Sequence, residues 1–365
     1  MKKINIFFLL PRFVLGGAGK SISTLCKNLN KNKFNIFVIC LNRCYYANEL
    51  KRYCDSIYEI NSKKTLFAQK KIRKILENKK NEKSILVSNL FYCNVLTALF
   101  QKKNRLLKFI FVERTPFQEL SIYFGVVDFL KKFIIKFLLK IAYKKSDLVI
   151  ANSLKTASEL ASFSDKKTKG IYPPSFQKKN LYKKYQNKNF FNLLTIGRLS
   201  QEKGYDTLIN IISEINFKNY KLTIIGDGPE KENLKKLVAR KKLKKKVLFL
   251  GEKKNVNYYF KNSDLFINSS LFEGFPNVVV EALSFGVPVM CSNSHGGIGE
   301  ILRNGKYGVI YKDQESLKKQ LKVFFKEPQL LQRKALLGQK DLKRFSADEN
   351  KKAYEKIFLD MRFPI

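Results

Sequence analysis

"DLFINSSLFEGFPNVVVEALSFGVPVMCS", residues 264–292, reads as one strand–loop–helix–strand unit. "DLFINS" and "VPVMCS" are short, each with a continuous apolar centre, the pattern of strands buried on both faces. The loop between them holds Glu273, Gly274 and Pro276, and a helix beginning near Asn277 carries Glu281. Outward from this unit the alternation continues. In the same half of the chain "NLLTIG", "KLTIIGDG", "VLFLG" and "YGVIY" are further strands with helices between them. In the first half "KINIFFLL", "FNIFVICL", "SILVSN", "KFIFVE" and "DLVIAN" repeat the pattern, with Ile22, Leu25, Cys26 and Leu29 at helical spacing between the first two. The alternation breaks in "IYPPSFQKKNLYKKYQNKN", residues 171–189, which is polar and holds Pro173 and Pro174. The chain is therefore expected to be α/β, with two doubly wound, Rossmann-like domains and a cleft between them. The expected division is residues 1–175, a linker at 176–190, a second domain at 191–345, and a helix at 346–365 packing back toward the first domain.

The 365 residues carry 71 Lys and Arg against 30 Asp and Glu, a formal net charge of +41. That balance fits an anionic partner, or simply a lysine-rich composition. No RNP-like sequence, zinc finger or basic zipper is present, so nucleic acid is not an expected partner. The six cysteines form no C-x-x-C pair and there is one histidine, His295. This argues against zinc ribbons, disulfide frameworks and multi-histidine metal sites, and favours a reducing compartment. "MKKINIFFLLPRF" is read as a buried first strand, because its apolar core is short and Pro11-Arg12 interrupts it. No run reaches the length of a transmembrane helix.

"VLGGAGKS", residues 14–21, approaches a P-loop. A P-loop would need glycine at position 14, where Val14 stands, and Ile22 defeats G-x-G-x-x-G. What remains is a glycine turn opening a helix. Its N–H groups can receive an anion, or the turn only lets the helix pack.

"TIGRLSQEKGYDTLI", "LTIIGDGPEKENL" and "SDLFINSSLFEGFPNVVVEALSFGVPVMCS" occur in this order. Together they resemble the donor-binding domain of the GT-B glycosyltransferases, specifically the retaining group called family 4. The resemblance covers residues 192–303, and "EGFPNVVVE", from Glu273 to Glu281, is its most specific part. "GGAGKS", with Gly16 and Gly17, occupies the place of the family's first-domain glycine loop. The resemblance implies that Arg198 and Lys203 hold the donor pyrophosphate, where two fixed cations would stabilise the departing diphosphate. It gives Glu281 the ribose hydroxyls, and gives Glu273, Gly274 and Phe275 the transferred sugar. The flanks of Glu281 are so apolar that an unpaired buried carboxylate there would be costly. If Asn277 caps its helix, the free N–H groups behind it could meet the donor. "LGEKKN", with Gly251, resembles the segment that contacts the base, and "SHGGIGE", residues 294–300, the loop approaching phosphates or sugar. His295 beside it is left out of the catalytic set.

Two glutamates also invite a glycosidase reading, but a loop-to-helix pair beside a cationic clamp suits donor binding better than opposed acid and nucleophile. In "FVERTPF" relatives often carry a histidine where this chain has Glu113 and Arg114. Glu113 either orients the acceptor hydroxyl or forms a structural ion pair with Arg114.

"DFLKKFIIKFLLKIAYKK", residues 128–145, spaces Lys132, Lys136, Lys140 and Lys144 by four, with Phe129, Phe133, Ile134, Phe137, Leu138 and Ile141 as its apolar set. Such a helix is either interfacial or an ordinary core helix. The expectation is that the apolar set packs inward while the lysines attract an anionic membrane. The expected function is retaining transfer of a hexosyl or N-acetylhexosaminyl group from a nucleotide-diphosphate sugar to a lipid-linked, surface-polysaccharide or lipopolysaccharide acceptor. No cofactor or metal is expected, and the expected location is cytoplasmic, peripheral on the inner face of the membrane. The competing readings are another GT-B enzyme such as a nucleotide-sugar epimerase, or a non-catalytic membrane- or polysaccharide-binding protein on this scaffold.

Overall fold

The computed structural model of the protein describes residues 2–11, 16–61, 68–100, 104–121, 125–176, 190–215, 217, 219–294 and 296–364. Most of the expected linker, 177–189, and His295 lie outside them. The chain divides into two compact units, Met1–Pro174 with Phe345–Ile365, and Ser175–Arg344.

The first unit is built on seven strands, β1 (Ile4–Leu10), β2 (Phe34–Cys40), β3 (Ser56–Glu59), β4 (Ser84–Asn89), β5 (Leu107–Glu113), β6 (Leu148–Ala151) and β7 (Thr168–Gly170). They lie in the order β3-β2-β1-β4-β5-β6-β7, every pair parallel. Alternate residues of β1 feed opposite faces, as the two-residue period of a strand requires. Phe7 and Leu9 join Phe37, Leu86, Phe111, Leu139 and Tyr143 on one side. Ile6, Phe8 and Leu10 join Ile22, Leu25 and Val38 on the other. That second layer is completed by Tyr354, Ile357 and Phe358 of helix Ala347–Asp360. Ser346 caps this helix by accepting from the Glu349 N–H, and the Asn350 side-chain amide donates to the Tyr172 carbonyl at 2.7 Å.

The second unit holds β8 (Phe191–Ile196), β9 (Tyr220–Ile225), β10 (Val247–Phe249), β11 (Leu265–Asn268), β12 (Val289–Ser292) and β13 (Val309–Tyr311). Their order is β10-β9-β8-β11-β12-β13, again all parallel. The strand–helix–strand unit of residues 264–292 is present as β11, helix Asn277–Ser284 and β12, with Phe266 opposite Val289. Leu193, Leu222, Ile267 and Met290 from the sheet pack with Leu208, Leu234, Leu317 and Leu321 from the helices. In this order the direction of winding reverses between β8 and β11, and ligands of such sheets sit beyond the carboxyl ends of the strands there.

Two strands have no counterpart in the sequence reading. β3 and β7 are short sheet edges whose residues are at best half-buried, so neither shows the apolar run that marks a central strand.

The basic helix corrects an expectation. It spans Val126–Lys145 and buries Ile135, Leu139, Ala142 and Tyr143. Phe129, Phe133, Ile134, Phe137 and Ile141, expected to pack inward, are exposed, Phe133 by 63% and Phe137 by 64%. The reason is angular: at 100° per residue a spacing of four drifts slowly, so the phenylalanines and lysines form neighbouring stripes rather than opposite faces. Among the described residues no helix is long and apolar enough to cross a membrane.

Candidate active site

The loop after β8 and the loop after β11 are fastened to each other at the point where winding reverses. The Ser269 hydroxyl donates to the Lys203 carbonyl at 2.8 Å, and the Leu271 N–H donates to the Glu202 carbonyl at 2.8 Å. Gly204 follows Lys203 with φ +60°, and a Cβ there would lie 2.3 Å from the Ser269 carbonyl oxygen. Only glycine lets the two backbones approach so closely.

This stapling brings together side chains seventy residues apart. The Lys203 ammonium donates to Glu273 Oε1 at 2.5 Å, and the Ser270 hydroxyl donates to the same oxygen at 2.8 Å. Both charged side chains are largely buried, 22% and 14% exposed. Arg198, on the same loop as Lys203, is exposed. One cation is thus fixed in place by a carboxylate while a second faces solvent. Sequence reasoning had not singled out Ser269 or Ser270; the signal was the "SS" directly following the strand.

Gly274 and Phe275, both buried, form a shelf for Gly296 and Gly297. The Gly297 N–H donates to the Gly274 carbonyl at 2.9 Å. Gly296 has φ +104°, and a Cβ there would lie 1.8 Å from the Glu273 carbonyl oxygen. Ser294 presents a buried hydroxyl without a hydrogen-bond partner.

Asn277 is not a helix cap. It is the first residue of helix Asn277–Ser284, and extended Pro276 holds the capping position without any side-chain acceptor. The Asn277 Oδ1 instead accepts from the Ser175 hydroxyl at 2.6 Å. Glu281 follows one turn later, half-buried. Gly251 has a positive φ of 66°, and its carbonyl accepts from the Gly226 N–H at 2.9 Å.

In the first unit, Gly17 opens helix Gly17–Asn28 with Gly16 at its cap. Both are exposed. Residues 12–15 of that loop lie outside the described ones. Glu113 ends β5 with 0% exposure. Its Oε1 accepts from the Asn94 amide at 2.5 Å and the Tyr143 hydroxyl at 2.8 Å, while Oε2 is buried without a partner. Burial pushes this carboxyl up to about 8, although the Asn94 and Tyr143 hydrogen bonds pull the other way. The alternative for Glu113, a structural ion pair with Arg114, is not formed. The Arg114 Nε donates to Asn89 Oδ1 at 3.1 Å instead, because the side chains of consecutive strand-end residues point apart.

Two parallel sheets wound in this manner are the architecture of the GT-B fold. Solved structures share the fold: the Anabaena protein Alr3699/HepE, determined in complex with UDP-glucose, superposes with a TM-score of 0.81 at 18% identity, covering 98% of this chain and 100% of that one. Residues 177–340 of the chain match the family model described as glycosyl transferases group 1. Over 200 residues it is 34% identical to an uncharacterized glycosyltransferase of Methanocaldococcus jannaschii, spanning 47% of this chain and about half, 49%, of that relative. Over 348 residues it is 27% identical to the N-acetylgalactosamine-N,N'-diacetylbacillosaminyl-diphospho-undecaprenol 4-alpha-N-acetylgalactosaminyltransferase of Campylobacter jejuni, covering 90% of this chain and 92% of that one.

Proposed function

We propose that the protein transfers a hexosyl or N-acetylhexosaminyl group, with retention of configuration, from a nucleoside-diphosphate sugar to a lipid-linked or surface-polysaccharide acceptor. The observation that carries this reading is the Lys203–Glu273 pair beside exposed Arg198 at the switch point. When the glycosidic bond to the diphosphate breaks, negative charge grows on the phosphate oxygens, and cations already in place stabilise it without reorganising. Lys203 is held there by Glu273, and Arg198 closes on the diphosphate from solvent. Glu281 accepts the ribose hydroxyls. Glu273, with Gly274 and Phe275, meets the sugar, and Gly251 lies against the base. Gly16 and Gly17 present N–H groups suited to an anion, and Asn277 borders the sugar loop.

Attack by the acceptor on the face vacated by the diphosphate retains configuration. The departing diphosphate takes the acceptor proton, and in this scheme the chain needs neither a protein nucleophile nor a metal. Glu113, sealed from solvent, supports the acceptor side through Asn94 and Tyr143 rather than by touching the acceptor. The Campylobacter relative, whose name specifies a diphospho-undecaprenol acceptor, supports the lipid-linked class. An acceptor of that class would place the protein on the cytoplasmic face of a membrane.

The test is a thermal-shift panel of UDP-, GDP- and ADP-sugars followed by a transfer assay with anomeric analysis of the product. UDP-sugars come first because the Anabaena neighbour was solved with UDP-glucose. Stabilisation by one donor and a product of unchanged anomeric configuration are expected. An inverted product, or no response to any donor, would overturn the reading.

A further inference from the structure

Helix Val126–Lys145 shows solvent a surface that a soluble helix rarely shows. Val126, Leu130, Phe133, Ile134, Phe137 and Ile141 are all exposed, from 43% at Ile141 to 75% at Val126. On a helical projection these six fall within an arc of about 100°. The inner face is already satisfied, since Ile135, Leu139, Ala142 and Tyr143 are buried. The helix is therefore apolar on two faces, one against the sheet and one toward water. A scattered exposed leucine means little, but a continuous outward apolar stripe marks a binding surface.

Lysines border the stripe. Lys136 and Lys140 lie on one side and Lys131 on the other, with Lys144 and Lys145 at the end. Lys131 sits 5.4 Å from the Tyr92 ring centre and Lys136 5.2 Å from that of Phe117. Lys132, placed in the outward lysine row by the sequence, is turned aside and pairs with Asp128 at 2.8 Å.

We propose that this helix lies flat in the interface of an anionic bilayer, with the outer stripe among the acyl chains and the bordering lysines at the headgroups. An apolar stripe between cationic borders matches the layered chemistry of such an interface. A second copy of the chain is a poor occupant, because it would bring the same lysines against each other in a chain of net charge +41. The inference deepens the membrane location proposed above by making insertion, not charge alone, the source of attachment. Its test needs no sugar or acceptor, so it stands or falls apart from the transfer reaction.

The chain contains no tryptophan, so Phe137→Trp supplies a single reporter at a position already exposed. With phosphatidylcholine vesicles containing phosphatidylglycerol, its emission should shift to the blue and be quenched by lipids brominated on their acyl chains. Part of the binding should survive 1 M salt, where headgroup attraction is screened. Replacing both Phe133 and Phe137 by Gln should weaken vesicle binding by on the order of a hundredfold, roughly tenfold for each aromatic kept out of the acyl region. Circular dichroism should show the fold unchanged. Water-like emission from bound Phe137→Trp protein, binding wholly lost in high salt, or no binding at all would overturn the proposal. So would a blue-shifted emission without lipid accompanied by dimerisation in sedimentation.

Discussion

Lys203 and Glu273 meet at 2.5 Å across the loops that follow β8 and β11, and the Ser270 hydroxyl donates to the same carboxylate oxygen. The pair makes the ammonium position a property of the folded protein, set before any donor arrives. Pre-placed charge of this kind contributes most where charge develops during the reaction.

Lys203→Ala should therefore lower turnover by on the order of a hundredfold, the loss typical of one missing oxyanion-type donor. Steady-state kinetics beside a thermal melt would check it. Near-normal turnover in a folded variant would remove Lys203 from the leaving-group clamp.

The two glutamates should separate by ligand. Glu281→Ala should weaken the nucleoside diphosphate and the full donor alike, because its proposed contact is the ribose. Glu273→Ala removes the sugar contact and also releases Lys203, so it should weaken the full donor more than the nucleoside diphosphate. Calorimetric titration of both variants with both ligands decides it, and parallel losses across all four combinations would contradict the division.

Gly204→Ala should loosen the site from the backbone side. The added methyl would sit 2.3 Å from the Ser269 carbonyl oxygen at a φ of +60°, so the β8 and β11 loops must part. A loss of about 1–3 kcal/mol in stability is expected from the strained conformation alone, together with weaker donor binding. Denaturant unfolding and donor titration measure the two effects, and an unchanged Kd with unchanged stability would show the approach to be dispensable.

Glu113 should write itself into the pH dependence of stability. Its carboxyl is raised to about 8 by burial and returns to the ordinary carboxylate range on unfolding. Between roughly pH 5 and 8 the folded state therefore holds a proton that the unfolded state has lost, and stability falls as pH rises, by at most about 1.4 kcal/mol per pH unit. The stabilising contribution is complete below the unfolded pKa and gone once the pH passes the folded one. Glu113→Gln keeps an acceptor for Asn94 and Tyr143 and cannot ionise, so its stability should stay flatter over this window. Urea unfolding of both proteins at pH 5 and pH 8 is the measurement; an identical pH slope in the two would mean that Glu113 is not the titrating group.

The sequence by itself determined the layers. Runs such as "INIFFLL" and "FNIFVICL" are apolar at nearly every position, the pattern of strands covered on both faces. The ordered glycine and glutamate motifs likewise marked the loops after β8 and β11 as the candidate site. The tertiary structure decided what sequence spacing leaves open. Periodicity along helix Val126–Lys145 fixes the angles between side chains but not which direction is inward. That was settled by Ile135, Leu139 and Tyr143 fitting the sheet, which left Phe133 and Phe137 outside. Similarly, Glu113 is legible as a charged residue ending a strand, yet its neighbours Asn94 and Tyr143 come from two different helices. The Lys203–Glu273 contact depends on β8 lying beside β11. Such contacts join residues distant along the chain, and the order in which strands assemble, rather than any local pattern, brings them within hydrogen-bonding distance.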